Sequence, residues 1–181
     1  LSETPSQNYR PGPLIGQHNK DILQGLLGMS HDELVDGYED GTFWPKDMEK
    51  YSYVDEIIKS DQIDLDLTLD TRNLEETSKG SQNLYGPFKA LRVLELADEK
   101  SQWCGKLLGD LGADVIRIEP PGIHDTRKVG PFLDDVPGHE RSLSFWHYNT
   151  SKRGITLNLE SINGQALFRQ LASSADIILE A

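Results

Sequence analysis

The sequence predicts an α/β fold: an incomplete Rossmann-like parallel sheet with flanking helices, preceded by a short helical tail and an acidic linker. Three observations carry this. Leu91, Val93, Leu94 and Leu96 form an apolar run of strand length, and Val115, Ile116 and Ile118 form a second in which β-branched residues dominate. Between them, Trp103, Cys104, Leu107, Leu108 and Leu111 recur at three- and four-residue spacing, the apolar stripe of a helix that Gly112 is placed to end. Ahead of this unit, residues 31–76 hold 15 acids against 4 bases, whereas the residues after Ala90 hold 13 against 10. A helical connection this short joins parallel strands by a right-handed crossover, and such sheets bind ligands beyond the carboxyl ends of their strands. Ala97 to Gln102 and Glu119 to Gly122 are therefore the segments to watch.

The first of those loops reads Ala97-Asp98-Glu99-Lys100-Ser101-Gln102, without the Gly-x-Gly-x-x-Gly that lets a backbone approach a pyrophosphate. The topology is Rossmann-like and the dinucleotide fingerprint is missing. Glu119, at the end of the second strand, reads as a solvated loop acid rather than a ribose ligand.

With 181 residues, 36% of them apolar and 27% charged, the chain has the material for one or two cores. A net charge of −12 argues against nucleic-acid binding, and no apolar run reaches membrane-spanning length. A basic, apolar leader is missing and the single Cys104 has no internal partner, which fits a reducing cytoplasm. Cys104 lies on the apolar stripe, where a buried, inert thiol is expected. No metal-ligand set is expected.

In chain order, Leu1 opens a polar stretch, Ser2 to Pro13, that reads as the end of something already under way. Asn19 is placed to cap a short helix with Ile22, Leu23, Leu26 and Leu27 on its face and Gly28 at its end. Ser30 and Glu33 have the spacing of a capping box that opens a second helix to about Glu39, stopped by Gly41. Both helices are expected to lie outside the core. From Phe43 to Lys89 the signals weaken. Trp44, Tyr51, Tyr53, Ile57 and Ile58 could pack locally, Ile63 to Leu69 alternates like an edge strand, and Thr71 to Gln82 reads as a mobile linker. The span is either a solvated acidic connector or a dedicated interaction surface. Gly86-Pro87 marks a boundary.

After Glu119, Pro120-Pro121-Gly122 turns the chain into a loop bearing Asp125, Arg127, Lys128, Asp134, Asp135 and Arg141, then the aromatic cluster Phe145, Trp146 and Tyr148. Asn149 to Arg153 is expected to be a turn, Ile155, Leu157 and Leu159 one face of a strand, Ile162 to Ser173 a helix, and Ala175 to Leu179 the start of another buried strand.

The segments Gly86 to Leu96, Cys104 to Gly122 and Asn149 to Leu159 resemble the amino-terminal part of the family III CoA-transferases, which include formyl-CoA and carnitine-CoA transferases and 2-methylacyl-CoA racemases. The run Leu107-Leu108-Gly109-Asp110-Leu111-Gly112-Ala113-Asp114-Val115-Ile116 is its most specific piece. Pro13-Leu14-Ile15-Gly16-Gln17-His18-Asn19 with Leu26-Leu27-Gly28-Met29-Ser30 and the acidic helix is similar to that family's carboxyl-terminal tail. This order implies a piece spanning the junction of two tandem copies: residues 1–45 the tail of a preceding copy, 46–84 an acidic linker, and 85–181 the truncated Rossmann-like start of a second.

The resemblance implies an enzyme that moves coenzyme A between an acyl-CoA and a carboxylic acid through an aspartyl-CoA intermediate. The nucleophilic aspartate lies beyond these residues, so no catalytic residue is nominated and the segment is expected to be inactive alone. It further implies CoA contacts from Glu99 and Lys100, from Pro120, and from Leu157, Asn158, Leu159 and Glu160. Lys152 and Arg153, just upstream, are candidates for the CoA phosphates or an ordinary solvated turn pair. Glu160 stands where some members carry lysine, and its charge would repel a phosphate. A 2-methylacyl-CoA racemase and a non-catalytic CoA-binding or pseudo-dimer half are the alternatives. An interlocked homodimer or an intramolecular pseudo-dimer is the implied assembly.

Overall fold

A computed structural model describes residue 6, residues 8–45 and residues 86–181. The expectations for Tyr51, Tyr53, Ile57, Ile58, the strand at 63–69 and the linker at 71–82 lie outside the described residues. Residues 8–45 and 86–181 belong to one compact unit. Its elements are α1 (Asn19–Leu23), α2 (His31–Glu39), β1 (Arg92–Leu96), α3 (Gln102–Asp110), β2 (Asp114–Glu119), α4 (Leu143–Tyr148), β3 (Lys152–Thr156), α5 (Ile162–Ser173) and β4 (Ile177–Glu180), with a 3₁₀ turn at Asp125–Lys128.

The four strands pair in the order β3-β2-β1-β4, all parallel. Val93 lies opposite Val115, and Glu95 opposite Arg117. This is the expected Rossmann-like half-sheet, and its chain order changes direction between β1 and β4.

The two faces of the sheet differ. One carries Leu94, Ile116, Ile118, Ile155 and Leu157, packed against Ile22, Leu23, Leu34, Phe43 and Leu171. The first two helices are thus part of the core, contrary to the expectation that they lie outside it. Their apolar residues are few, but the sheet offers a matching apolar face that they cover together with α5. The capping box of α2 forms as its spacing requires: Glu33 N–H donates to Ser30 Oγ at 3.2 Å, and Ser30 N–H donates to Glu33 Oε2 at 2.8 Å. Asn19 is not a cap. It is buried at the start of α1, where Asn19 Nδ2 donates to Thr156 Oγ1 and Thr156 N–H donates to Asn19 Oδ1.

That pair belongs to a seam. β3 is an edge strand, and the segment before α1 closes it. His18 N–H donates to Gly154 O at 2.9 Å and Gly154 N–H to His18 Nδ1 at 3.0 Å, while Ser151 N–H donates to Arg10 O at 2.9 Å. An edge otherwise open to strand pairing is sealed by the protein's own chain. Burial and the neighbouring charges of Arg10 and Arg153 push the His18 imidazole down to about 3, so it is neutral in the folded protein.

The second face of the sheet is covered by α3, which presents the opposite side from the one its apolar residues predict. Gln102, Gly105, Lys106, Gly109 and Asp110 face inward, whereas Trp103 and Leu107 are 46% and 45% exposed, and Cys104 is exposed rather than buried. Of the expected stripe, Leu108 reaches the small core of Val93, Ala113 and Val115. The reason lies beneath the helix. A Cβ on Gly105 would stand 1.9 Å from Glu95 Oε1, and one on Gly109 3.2 Å from Ser151 Cβ. The helix must lie close to a polar row on the sheet, and only its glycine-bearing side permits that approach.

The remaining differences are local. Phe145, Trp146 and Tyr148 sit on a helix, α4, rather than in a loop, because Ser142 Oγ caps it by accepting Phe145 N–H at 3.0 Å. β3 begins at Lys152 and ends at Thr156, so Leu157 to Glu160 lie past the strand. β4 is an edge strand with alternating exposure, Ile178 being 48% exposed, and not the buried strand expected.

Gly105→Ala should destabilise the fold by about 2 kcal/mol in urea denaturation, although alanine is the better helix former, because Glu95 is held on both sides and has no room to yield. A folded His18 pKa below the unfolded value means that the unfolded chain takes up a proton first as pH falls. Stability should be unaffected by this group above pH 6.5 and decline below it, by about 2 kcal/mol at pH 5. His18→Gln, which keeps an acceptor for Gly154 N–H, should flatten most of that decline in urea melts at pH 7 and pH 5, leaving the shares of His124 and His139, whose values are also lowered.

Candidate functional site

At the carboxyl ends of β1, β2 and β3 lies a cleft of about 460 Å³, lined by Leu96, Ile118, Pro120, Pro121, Leu157, Asn158, Leu159 and Glu160. This is within the range of small-molecule sites. Pro120 and Pro121 end β2, since neither can donate to a ladder, and they send the chain away from the sheet. The opposite wall, Leu157 to Glu160, is fixed by its backbone. Leu157 N–H donates to Glu119 O at 2.9 Å and Asn158 N–H to Thr42 O at 2.9 Å, so the chain after α2 braces it from behind. Asn158 Oδ1 accepts Glu160 N–H at 3.1 Å, closing the turn that leads to α5. The helix follows at once, capped by Ser161 Oγ, which accepts Gly164 N–H at 2.9 Å. Gly164 is required there because a Cβ would stand 1.8 Å from Asn158 O.

Pro120, Leu157, Asn158, Leu159 and Glu160, all expected from the sequence, are brought together in this cleft. Leu96, Ile118 and Pro121 were not expected. The alternation of β1 and β2 could have found the first two, since each is the last residue of its strand on the Leu94–Ile116 face. Glu99 and Lys100 lie outside the lining, exposed on the loop after β1. That loop is held by Asp98, whose Oδ1 accepts Lys100 N–H at 2.8 Å. The backbone hydrogen bond from Lys100 keeps the Asp98 carboxyl below its usual range.

Lys152 and Arg153 are neither cleft residues nor a solvated turn pair. Lys152 is fully buried inside the sheet–helix interface, where Nζ donates to both oxygens of Glu95 at 2.8 Å, to Gln102 O at 2.8 Å and to Asn149 Oδ1 at 2.9 Å. Burial lowers its pKa to about 8, with Glu95 resisting the fall. Arg153 points to the other face and holds Asp114, Nε to Oδ1 at 2.9 Å and Nη2 to Oδ2 at 2.7 Å. Parallel pairing accounts for the divergence, as consecutive strand residues face opposite sides.

Lys152 belongs to a buried charge system behind the cleft. Glu95 also takes Arg117 Nη1 at 3.1 Å, and Arg117 Nη2 donates to Ala97 O and Thr126 Oγ1. Arg117 Nε has no hydrogen-bond partner among the described residues. Arg127 forks onto Glu119 at 2.8 and 2.7 Å, and reaches Glu140 Oε2 at 2.7 Å and Pro13 O at 3.0 Å. The Phe145 ring lies 5.4 Å from the Arg117 guanidinium carbon and 3.8 Å from that of Arg127. Glu119 is therefore a buried partner, not the solvated acid expected. Its burial would raise its pKa, but the Arg127 charge and hydrogen bonds outweigh that and hold it low. Burial wins at Glu140, whose carboxyl is raised despite Arg127 and the Ile15 N–H it accepts. Three acids, Glu95, Glu119 and Glu140, face three bases, Arg117, Arg127 and Lys152, so the system is neutral and fixes the loops that carry the cleft walls.

Among the described residues no group of three or more histidine, cysteine, aspartate or glutamate side chains is placed to hold a metal ion, and no helix is long and apolar enough to cross a membrane. Lys152→Met should cost about 3–5 kcal/mol of stability, read by urea denaturation, because it strands the Glu95 charge with Arg117 alone.

Comparison with known proteins follows the same residues. The model of CoA-transferase family III matches residues 89–181, just over half the chain. The succinyl-CoA:(R)-benzylsuccinate CoA-transferase subunit of Thauera aromatica is 38% identical over 94 residues, 52% of this chain and 23% of that protein. Succinate–glutarate CoA-transferase of Agrobacterium fabrum is 41% identical over 98 residues, 52% of this chain and 24% of that protein. A solved CaiB/BaiF family protein from Brucella suis is 41% identical, with 52% of this chain and 25% of that chain covered at a TM-score of 0.46. The chain spans about a quarter of the length of the curated relatives it matches. With a half-sheet of the expected topology and a family match running from the start of that sheet to Ala181, the chain belongs to CoA-transferase family III.

Proposed function

We propose that this chain supplies the CoA-binding half-sheet of an enzyme that moves coenzyme A between an acyl-CoA and a carboxylic acid. One observation carries the reading: Pro120 and Leu157 to Glu160, the positions at which the family resemblance implies CoA contact, line one cleft at the carboxyl ends of parallel strands. The cleft's apolar residues suit the pantetheine arm, and backbone groups at the start of α5 offer donors to an anion. Lys152 and Arg153, both committed to carboxylates, have a structural part in this reading, while Glu99 and Lys100 lie exposed on the loop after β1.

The named relatives favour transfer over racemisation, since they are CoA-transferases of succinate, benzylsuccinate and glutarate. Dicarboxylic acids are accordingly the substrate class we assign. In the reaction, an aspartate carboxylate from outside these residues attacks the thioester carbonyl and expels the CoA thiolate, leaving a mixed anhydride. The thiolate then attacks the aspartyl carbonyl and releases the donor acid, and the acceptor carboxylate reverses both steps. This chain holds the thiolate's carrier in place, and on its own it is inactive. In the tandem reading, residues 1–45 close one copy and residues 85–181 open the next, and the two copies pair as a pseudo-dimer within one chain or as an interlocked dimer.

Titration calorimetry of the 181-residue chain with CoA should give saturable binding that Leu157→Trp abolishes by filling the cleft. Glu160→Lys, which exchanges a repelling charge for an attracting one beside the phosphates, should tighten it about tenfold. Absence of binding in both the parent and Glu160→Lys would refute the assignment. For the activity, a longer protein that includes the aspartate should exchange CoA from succinyl-CoA to glutarate and be inactivated by hydroxylamine during turnover.

A further inference from the structure

At the end of the sheet opposite the cleft, a second set of cations outnumbers its acceptors. Arg92 and Arg153 share Asp114: its Oδ2 takes Arg92 Nε at 2.9 Å and Arg153 Nη2 at 2.7 Å, and its Oδ1 takes Arg153 Nε at 2.9 Å. Both carboxylate oxygens are thereby engaged, and Arg153 Nη1 is left over. Asp176, the next acid, accepts the Arg92 backbone N–H. Arg10 lies on the same seam, its carbonyl accepting Ser151 N–H two residues from Arg153. Its guanidinium forms no hydrogen bond or ion pair among the described residues, and Asp114 and Asp21 act on it only through the field. Burial and the adjacent Arg153 charge pull the Arg10 pKa down. His18 completes the set. Its Nδ1 accepts Gly154 N–H, so the ring proton sits on Nε2, which donates to no described residue.

The seam thus presents a planar fork, a second guanidinium nitrogen and an imidazole N–H beyond the donors that Asp114 engages, in a protein of net charge −12. These donors keep access to solvent, and a planar or tetrahedral oxyanion engages them together through charge-assisted hydrogen bonds. We propose that Arg10, Arg153 Nη1 and His18 Nε2–H form a second binding site, for a small oxyanion of carboxylate or phosphate type, at the amino-terminal end of the strands. It is separate from the CoA cleft: Arg153 and Leu157 are four residues apart along the chain, a span of about 13 Å in an extended strand. Because Arg10 and His18 come from the segment before α1 and Arg153 from β3, the bound anion clips the two together. Its loading reports on that junction and not on CoA.

Sodium phosphate titrated into the 181-residue chain at pH 7 and constant ionic strength should raise the melting temperature saturably and shift the His18 ring resonances, with no shift at Leu157 to Glu160. Sodium acetate run in parallel separates the two ligand classes, and a saturable response to either supports the site. Arg10→Gln should weaken the response about tenfold or more. Arg10→Lys, which keeps the charge and loses the fork, should fall between, and Lys128→Gln, an exposed cation elsewhere, should respond like the parent. The proposal fails if neither salt acts saturably, if sodium chloride reproduces the effect, if Arg10→Gln responds like the parent, or if the shifts appear at the cleft. Should Arg10→Gln melt too early to titrate, the His18 shifts in the Arg10→Lys protein decide by themselves.

Discussion

The close contact between Glu95, Arg117 and Lys152 on one face of the sheet governs the rest of the structure. Three charged side chains from three neighbouring strands are buried together, and each needs a counter-charge and hydrogen bonds to offset its desolvation. Glu95 supplies both cations with a carboxylate, while Gln102 O, Asn149 Oδ1, Ala97 O and Thr126 Oγ1 take further donors. These acceptors belong to the loop after β1, the start of α3, the loop after β2 and the end of α4. Holding the charges therefore fixes the very segments that surround the carboxyl ends of the strands. It also dictates the helix above: α3 must approach closely enough for its Gln102 carbonyl to accept from Lys152 Nζ, and Gly105 makes that possible.

This arrangement explains what was legible in the sequence and what was not. The capping box at Ser30 and Glu33, the helix Ile162–Ser173 and the strands at Val93 and Ile116 rest on local chemistry or on a strong period, and they read correctly. The orientation of α3 did not. Two stripes of identical period run along opposite sides of that helix, offset by two residues, Trp103-Cys104-Leu107-Leu108-Leu111 and Gln102-Gly105-Lys106-Gly109-Asp110. Apolar content selects the first. The sheet selects the second, through Glu95 and Lys152, and nothing within the helix reveals that choice. Glu119 and Lys152 misread for the same reason, since their partners, Arg127 and Glu95, lie across loops or strands. The cleft was legible because it depends on where the backbone leaves the sheet. Pro120 and the Leu157 to Glu160 turn occupy strand ends whichever way the neighbouring side chains point.

A division of labour among the cations follows. Arg117, Arg127 and Lys152 neutralise the interior, and Arg92 and Arg153 neutralise Asp114, so the basic residues most prominent in the sequence serve the fold. The outer side of α3 meanwhile carries Trp103 stacked 6.3 Å from His147 and edge-on to Tyr148 at 5.8 Å, an aromatic group outside both cores.

The seal along β3 ties the order of synthesis to the order of assembly. Tyr9, His18 and Asn19 meet partners 142, 136 and 137 residues further on. Contacts of such sequence separation pay their loop-closure entropy before they return any energy, which slows the search for them. The ribosome releases the sealing segment well before the strand it must cover. During that interval Ile22, Leu23 and Phe43 lack the strands that will bury them, so these three apolar side chains wait on the synthesis of β3 for their cover.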